Sequence, residues 1–321
     1  MEIEVKGMKL GSIKSFLENK TQNELIIHEY QKLSKGSPCA IKLTLGDVNS
    51  WGVDESNDIA VTKAIYEMVE RVFLKETFPQ EYIYKKHFFS KKLKVSQIED
   101  RYEFARNYLP THTNGLALHY DKRRAFDNAL NELIERHVLM KTLAENISAR
   151  KLFSQKIENF PTEIEYYVFD TVFHKKVVIA KVDIGENGVL MGTACDSSID
   201  KAIVSARLEL YPSLVWAKGK RSYDDEFENE NKKAAINFGR STCWFSKGNE
   251  KKSIGPAIKK NDLFFSFPLL DLPKGLREKF VAARVFSPFI QQRVLGKWSN
   301  DKMNPAAIEI NLFSGEYHVV G

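Results

Sequence analysis

One pattern occurs three times in this chain. Ala60-Val61-Thr62-Lys63-Ala64-Ile65-Tyr66-Glu67-Met68-Val69-Glu70-Arg71 stands first, Ala125-Phe126-Asp127-Asn128-Ala129-Leu130-Asn131-Glu132-Leu133-Ile134-Glu135-Arg136 second, and Ala202-Ile203-Val204-Ser205-Ala206-Arg207-Leu208-Glu209-Leu210-Tyr211-Pro212 third. Each reads Ala-x-x-x-Ala-x-x-Glu, and the first two continue x-x-Glu-Arg. A glycine precedes each at a similar distance: Gly52, Gly115 and Gly192. Self-similarity of this kind marks a fold assembled from a recurring unit. The two alanines and the glutamates fall on one face of a helix with 3.6 residues per turn.

That register has chemical content. Glu67 and Glu70 project side by side, as do Glu132 and Glu135. Two carboxylates one turn apart repel unless a cation lies between them. The alanines on the same face let another backbone, or a ligand, approach closely. Ile65 and Val69, and in the second segment Leu130 and Ile134, lie on other faces and can pack on a sheet. A single glutamate pair is an ordinary solvated helix surface. Two pairs in matching register, with a third related helix, point to a shared site.

These residues resemble the YcaO superfamily, whose three related strand-plus-helix units bring their helices together around an ATP–magnesium site. Its helices carry Ser-x-x-x-Glu-x-x-Glu-Arg, then Gln-x-x-x-Glu-x-x-Glu, then Arg-x-x-x-Glu. Here the corresponding residues are Lys63, Glu67, Glu70 and Arg71; Asn128, Glu132, Glu135 and Arg136; and Ser205 and Glu209. Thr113-Asn114-Gly115-Leu116-Ala117 resembles the lead-in to the second helix, residues 177–182 the strand before the third unit, and residues 281–288 a late strand ending in proline. The resemblance spans roughly residues 41–290, within one YcaO-like domain covering 1–321; residues 1–40 form an N-terminal segment and 291–321 a C-terminal strand and tail. The implied fold is α+β, three strand-helix units converging on a central site.

The resemblance implies magnesium ligands at Glu67, Glu70, Glu132 and Glu135, and nucleotide contacts at Lys63, Asn128, Ser205, Arg71, Arg136 and Glu209. It implies activation of a peptide backbone amide: a nucleophile adds to the amide carbon, ATP phosphorylates the amide oxygen, and phosphate departs. The product class is an azoline (cyclodehydration), an amidine or a thioamide. No residue is singled out as a catalytic acid, base or nucleophile. The glutamates match the family, but the residue four positions before each differs: Lys63 for Ser, Asn128 for Gln, Ser205 for Arg. Asn128 keeps an amide on a shorter arm. Ser205 lacks the fixed cation suited to bidentate phosphate binding. The family's early glycine-rich segment carries a phosphate-binding lysine, whereas residues 49–54 here contain none. Lys63 is the best-placed substitute. The alternative reading is a non-catalytic YcaO-like subunit that binds a peptide or a partner enzyme.

Composition narrows the partners. The net charge is +6 and the pI about 8.9, but acidic residues are interleaved through most of the chain. This argues against a dedicated nucleic-acid binder. Cys39, Cys195 and Cys243 are far apart and have no metal-type spacing; they read as reduced thiols of a cytoplasmic protein. Cys195 precedes the third helix and reads as buried filler. His119 falls in a loop before the second helix, with a surface role. The run at 224–231 reads as a solvated acidic loop. No apolar stretch reaches membrane-spanning length, and the first residues lack a signal peptide's apolar core. Residues before 41 leave little room for a leader-peptide domain, so the expected partners are a peptide substrate and a separate leader-binding protein. A homo-oligomer is left open. The end, Glu316-Tyr317-His318-Val319-Val320-Gly321, lacks the Pro-x-Pro-x-Pro common among azoline-forming relatives.

Local patterns place the remaining elements. A helix is expected over 10–17, a strand over 40–45 leading to the first repeat helix, and a helix start at the capping-box-like Ser96-Gln97-Ile98-Glu99. Strands are expected at 164–168, 177–184 and 189–194, with turns near 174–176 and 187–188. The helices should lie on a mixed, largely antiparallel sheet. The third helix should start after Asp196 or Ser198 and end or bend near Pro212, which has no backbone N–H to donate.

Overall fold

The structure is a computed structural model that describes residues 4–5, 8–30, 37–73, 84–87, 96–97, 115–145, 149–157, 162–171, 174–184, 189–219, 262–268 and 270–287. The elements are β1 (Glu4–Val5), β2 (Met8–Lys9), α1 (Leu10–Thr21), β3 (Leu25–Tyr30), β4 (Cys39–Leu45), β5 (Val48–Asp54) and α2 (Asn57–Phe73). There follow β6 (Tyr84–His87), β7 (Ser96–Gln97), β8 (Leu116–His119), α3 (Lys122–Glu145), β9 (Arg150–Lys156), β10 (Glu163–Asp170), β11 (Lys176–Asp183) and β12 (Val189–Asp196). The last are α4 (Ile199–Gly219), β13 (Asp262–Ser266), α5 (Lys274–Arg277) and β14 (Val281–Phe286). The three repeats are the three long helices α2, α3 and α4.

Each helix starts in the same way. The amide of its first repeat alanine donates to a carbonyl four residues back: Ala60 to Ser56 at 2.9 Å, Ala125 to Asp121 at 2.9 Å, Ala202 to Ser198 at 3.0 Å. Six residues before that alanine stands a side-chain acceptor for the amide two positions on. It is Asp54 for Ser56 (3.3 Å), Asp196 for Ser198 (2.8 Å), and in the middle unit the Nδ1 of His119 for Asp121 (3.0 Å). These local turns redirect the chain from strand to helix.

Glycine and alanine recur because helix and strand backbones touch. A Cβ on Gly52 would lie 1.8 Å from the carbonyl oxygen of Ala60, and one on Gly192 would lie 2.2 Å from that of Ala206. Gly115 adopts φ +73°, and a Cβ there would meet the Val285 oxygen at 2.0 Å. The alanine stripe is thus explained by helix-on-strand packing.

All strand pairings among the described residues are antiparallel, and they form separate sheets rather than one mixed sheet: β3-β4-β5, β12-β11-β10-β9, β7-β6-β13-β14-β8 and the small β1-β2 pair. Helix α2 lies on β5 and β4, and α4 on β12 and β11, so the first and third repeats are each a hairpin followed by a helix. Helix α3 lies on β8 and β14, and its other side meets β12. Ala125, Ala129 and Leu133 pack with Ala283 and Val285, while Ile134 and Val138 pack with Phe169, Val177 and Ile179. Each of the larger of these side chains (Leu, Ile, Val and Phe), once fully buried, contributes about 1.5–3 kcal/mol. Ala40 and Val53 of the first sheet join the cluster under α4, which ties the first unit to the third.

Several local expectations change. Residues 49–54 lie in strand β5, and β5 rather than β4 leads into α2. Ser96 and Gln97 pair with Lys85 and Tyr84 as a strand, and the residues after them, where the helix is expected, lie outside the described residues. Strand β10 loses its alternation because both faces are covered: Ile164, Tyr166 and Val168 under α4, Tyr167 and Phe169 against α3. Helix α4 does not end at Pro212 but continues to Gly219. Buried Leu210, Tyr211, Leu214 and Val215 hold both sides of the proline to the sheet. Helix α1 runs to Thr21, beyond the expected span. Cys243, the acidic run at 224–231, the turn at 187–188, Thr113-Asn114 and the strand-like residues 308–313 lie outside the described residues. Among the described residues no helix is long and apolar enough to cross a membrane.

Candidate functional site

The glutamate faces of α2, α3 and α4 meet. On α2, Glu67 is held at both oxygens: Oε2 accepts the Trp51 amide at 2.6 Å and Oε1 accepts Arg71 Nη2 at 2.5 Å. Arg71 also donates through Nη1 to the Asn49 carbonyl at 2.8 Å, so β5 holds both the carboxylate and its partner. Glu70 lies between two helices. Lost hydration first, then the charges of Glu132 and Glu67, push its carboxyl well above the ordinary range, against the partial offset of Arg71 and the Leu118 backbone.

On α3, Glu135 is buried, and its Oε1 accepts the Thr193 hydroxyl at 2.6 Å while lying 3.2 Å from Arg136 Nη1. Arg136 Nε lies 3.9 Å from Glu132 Oε1. Burial disfavours the Arg136 charge, but Glu135, Glu132 and Glu209 together more than offset it and raise its pKa. This guanidinium therefore links the second helix to the third. Glu209, on α4, is open to water at its side chain but faces the carboxylates of the other two helices. Desolvation, then Glu67 and Glu135, push it up to about 7, with Arg136 and Lys63 opposing.

Five carboxylates from three helices thus sense one another, with Arg71, Arg136 and Lys63 as counter-charges. The neighbouring positions behave differently from the glutamates. Asn128 and Ser205 are exposed. Lys63 Nζ lies 2.8 Å from Asp54 Oδ2 and donates to the Val53 carbonyl at 3.0 Å, so it is anchored to the end of β5. Although burial opposes it, the Lys63 hydrogen bond and charge hold Asp54 below its ordinary pKa. Arg207 reaches toward Glu55 at 3.9 Å.

The remaining candidates resolve simply. Cys195 is buried, and its thiol pKa is driven far up by desolvation and by Glu135, so it stays protonated. Cys39 is also buried and free. His119 ends strand β8 rather than sitting in a loop, and its ring packs beside Tyr120 and Tyr66 at centroid distances of 4.3 and 6.4 Å. Sequence reasoning missed Thr193, the Trp51 amide, and the equivalence of Asp54, His119 and Asp196. Only the last had a signal, a constant offset of six residues before the first repeat alanine.

The donor set suits a hard divalent cation: clustered carboxylates, two with proton affinity raised by burial and then by mutual repulsion, would bind such an ion. Among the described residues no three acidic, histidine or cysteine side chains already form a cage for a metal ion. Magnesium commonly completes its octahedron with phosphate oxygens and water, so a preformed cage is not required.

Comparison with known proteins bears on the fold and the family. The fold resembles YcaO from Methanopyrus kandleri bound with AMPPCP and Mg2+, at 15% identity and TM-score 0.56, covering 86% of this chain and 88% of that one. It also resembles the E. coli microcin synthetase McbBCD complex, at 12% identity and TM-score 0.52, covering 81% and 86%. A third similar structure is a heterocyclase in complex with substrate and cofactor, at 10% identity and TM-score 0.57; 95% of this chain matches 55% of that one. No curated protein matches this sequence. The profile described as YcaO cyclodehydratase, ATP- and Mg2+-binding, matches residues 94–262. That span takes in α3 and α4 and begins after α2, whose glutamates join the same site only through the fold. The match covers more than half of the chain, which therefore belongs to the YcaO family.

Proposed function

We propose that this chain activates a peptide backbone amide in an ATP- and Mg2+-dependent reaction of peptide modification, with cyclodehydration, amidine formation and thioamide formation as the product classes. The observation that carries this is the meeting of Glu67, Glu70, Glu132, Glu135 and Glu209 from three helices, with Arg136 beside Glu132, Glu135 and Glu209 and Arg71 beside Glu67 and Glu70, in a chain of the YcaO family. Glu67, Glu70, Glu132 and Glu135 would hold magnesium, whose charge would neutralise the phosphates and stabilise phosphoryl transfer to the amide oxygen. Arg71 and Arg136 orient these carboxylates rather than standing free for phosphate. Asn128, Ser205 and Glu209, with Lys63, would supply the nucleotide contacts. The whole chain acts as one domain, takes a peptide substrate and works with a separate leader-binding protein in the cytoplasm.

The test has two parts. Purified protein should bind AMPPCP only with Mg2+, read by calorimetry. With ATP, Mg2+ and a candidate peptide it should release phosphate in step with a change in peptide mass. Failure to bind nucleotide at millimolar concentration would discard the enzymatic reading. The anchoring of Lys63 on Asp54 and the neutral Ser205 favour a second reading, a non-catalytic subunit that binds peptide or a partner enzyme. Peptide binding without nucleotide binding would support it.

A further inference from the structure

Strand β12 serves two helices at once. Its side chains alternate, and one face is pressed on α4: Gly192 fits against Ala206 and Leu210, and Ala194 joins the apolar cluster beneath that helix. The other face carries Met191, Thr193 and Cys195. Met191 and Cys195 pack with Ile134 and Val138 of α3, and Val177 and Ile179 of β11 lie in the same cluster. Thr193, opposite Ile179 in the β11–β12 ladder, is the polar residue of that face. Valine would fill nearly the same volume and pack as well. The hydroxyl instead donates to Glu135 Oε1 at 2.6 Å, the oxygen that also faces Arg136. A short hydrogen bond to a buried carboxylate restricts its rotation about the last torsion, because turning the group would leave a donor and an acceptor unpaired out of water.

We infer that Thr193 is a positioning residue: its hydroxyl, supplied by the third unit, orients Glu135 of the second unit toward the divalent cation of the nucleotide site. The inference rests on the function proposed above. It assigns α4's own hairpin a part in the site beyond Glu209, and makes the geometry of the second helix depend on the third unit.

Calorimetric titration of AMPPCP at a series of Mg2+ concentrations tests it. Wild type is compared with Thr193→Val, which removes the hydroxyl at constant shape, and Thr193→Ser, which keeps it. Removal of a hydrogen-bonding group behind a metal ligand typically weakens metal binding about 10–100-fold. Thr193→Val is therefore expected to raise the Mg2+ concentration for half-saturation about 10-fold, while Thr193→Ser stays near wild type. In a Glu135→Gln background, Thr193→Val should add no further shift. If the valine chain does not fold, Thr193→Ala is measured in its place and in the same cycle. An unchanged Mg2+ dependence without the hydroxyl, equal losses in the serine and valine chains, or full additivity with Glu135→Gln overturns the inference. Wild-type protein that binds no Mg2+–nucleotide overturns the proposed function, and the inference with it. That outcome is read from wild type alone and is distinct from the other three.

Discussion

The first and third units are built alike, and the second is not. In the outer two, a contiguous hairpin (β4-β5, β11-β12) turns through an aspartate into a helix that lies on its own strands. The middle helix α3 follows β8, whose one partner among the described residues, β14, comes from near the end of the described chain. The Val285 amide closes on the Gly115 carbonyl at 2.7 Å, and Glu135 is met by Thr193 of the third unit. The outer units are local structures, whereas the middle one is assembled from distant segments. Even so, α3 carries two of the five glutamates and the arginine that joins them. The third helix carries a single glutamate of the pair, since Pro212 stands where Glu70 and Glu135 stand in the others. Helix α2 carries as many glutamates and its own arginine, so what sets the middle helix apart is that its share of the site is held by distant segments.

The sharpest attempt to break this comparison removes charge from the middle helix. Glu135→Gln is expected to weaken Mg2+-dependent AMPPCP binding by more than about 100-fold, beyond the range for residues behind a ligand. Glu209→Gln should cost less, because one carboxylate of the third helix stands without a pair. Equal losses, read by calorimetry, would remove the special place of α3.

Glycine substitutions separate local from long-range assembly. Gly52→Ala and Gly192→Ala force a methyl into a neighbouring helix backbone, and Gly115→Ala forces one into β14 at a positive φ. Each should lower stability by about 3 kcal/mol or more, as overpacking and backbone strain do. In hydrogen exchange, Gly192→Ala should loosen β12 and α4, whereas Gly115→Ala should loosen β8, β14 and α3 together. The same pattern for both would contradict the distinction.

Acidity probes the crowded carboxylates. Glu209 ionises at about 7 in the folded chain, against an ordinary value of 4.5. The native state therefore binds more protons than the unfolded one between those values, and stability falls as pH rises through that window. Glu70, shifted in the same direction, adds to the slope. Denaturant midpoints at pH 5 and 7.5 check the sign, and Mg2+ with AMPPCP should flatten the slope. Stability that rises with pH over this window would refute the account of carboxylate crowding.

The smallest effects belong to the helix starts and to Lys63. His119→Asp gives the middle unit the device of the other two. It should change stability by no more than about 1 kcal/mol, the scale of a helix cap, read in thermal melts. Lys63→Ala loses a half-exposed ion pair with Asp54, worth about 0–1 kcal/mol. A much larger loss of nucleotide affinity than of stability would show that Lys63 leaves Asp54 for phosphate.

Much of this was legible in the chain itself. The spacing of alanines and glutamates set three helices and the face each would turn inward, because helical periodicity is a local property. The family resemblance rested on the same residues. The strand boundaries were mostly legible too, from runs such as 177–184. The sheet partition was not: which strand pairs with β8 depends on closing a long loop, and no local pattern encodes that partner.

What the sequence by itself determined is the inventory, five glutamates in helical register with small residues that let helices settle on strands. The tertiary structure alone decided their states. Lys63 carries the same charge in any conformation, but only the fold ties it to Asp54. Glu70 and Glu209 are ordinary carboxylic acids until burial and neighbouring carboxylates raise their proton affinity. Thr193 is an unremarked strand residue until β12 lies across α3. Proton affinity and side-chain orientation depend on what stands within a few ångströms in space, and for this site those neighbours come from three separate parts of the chain.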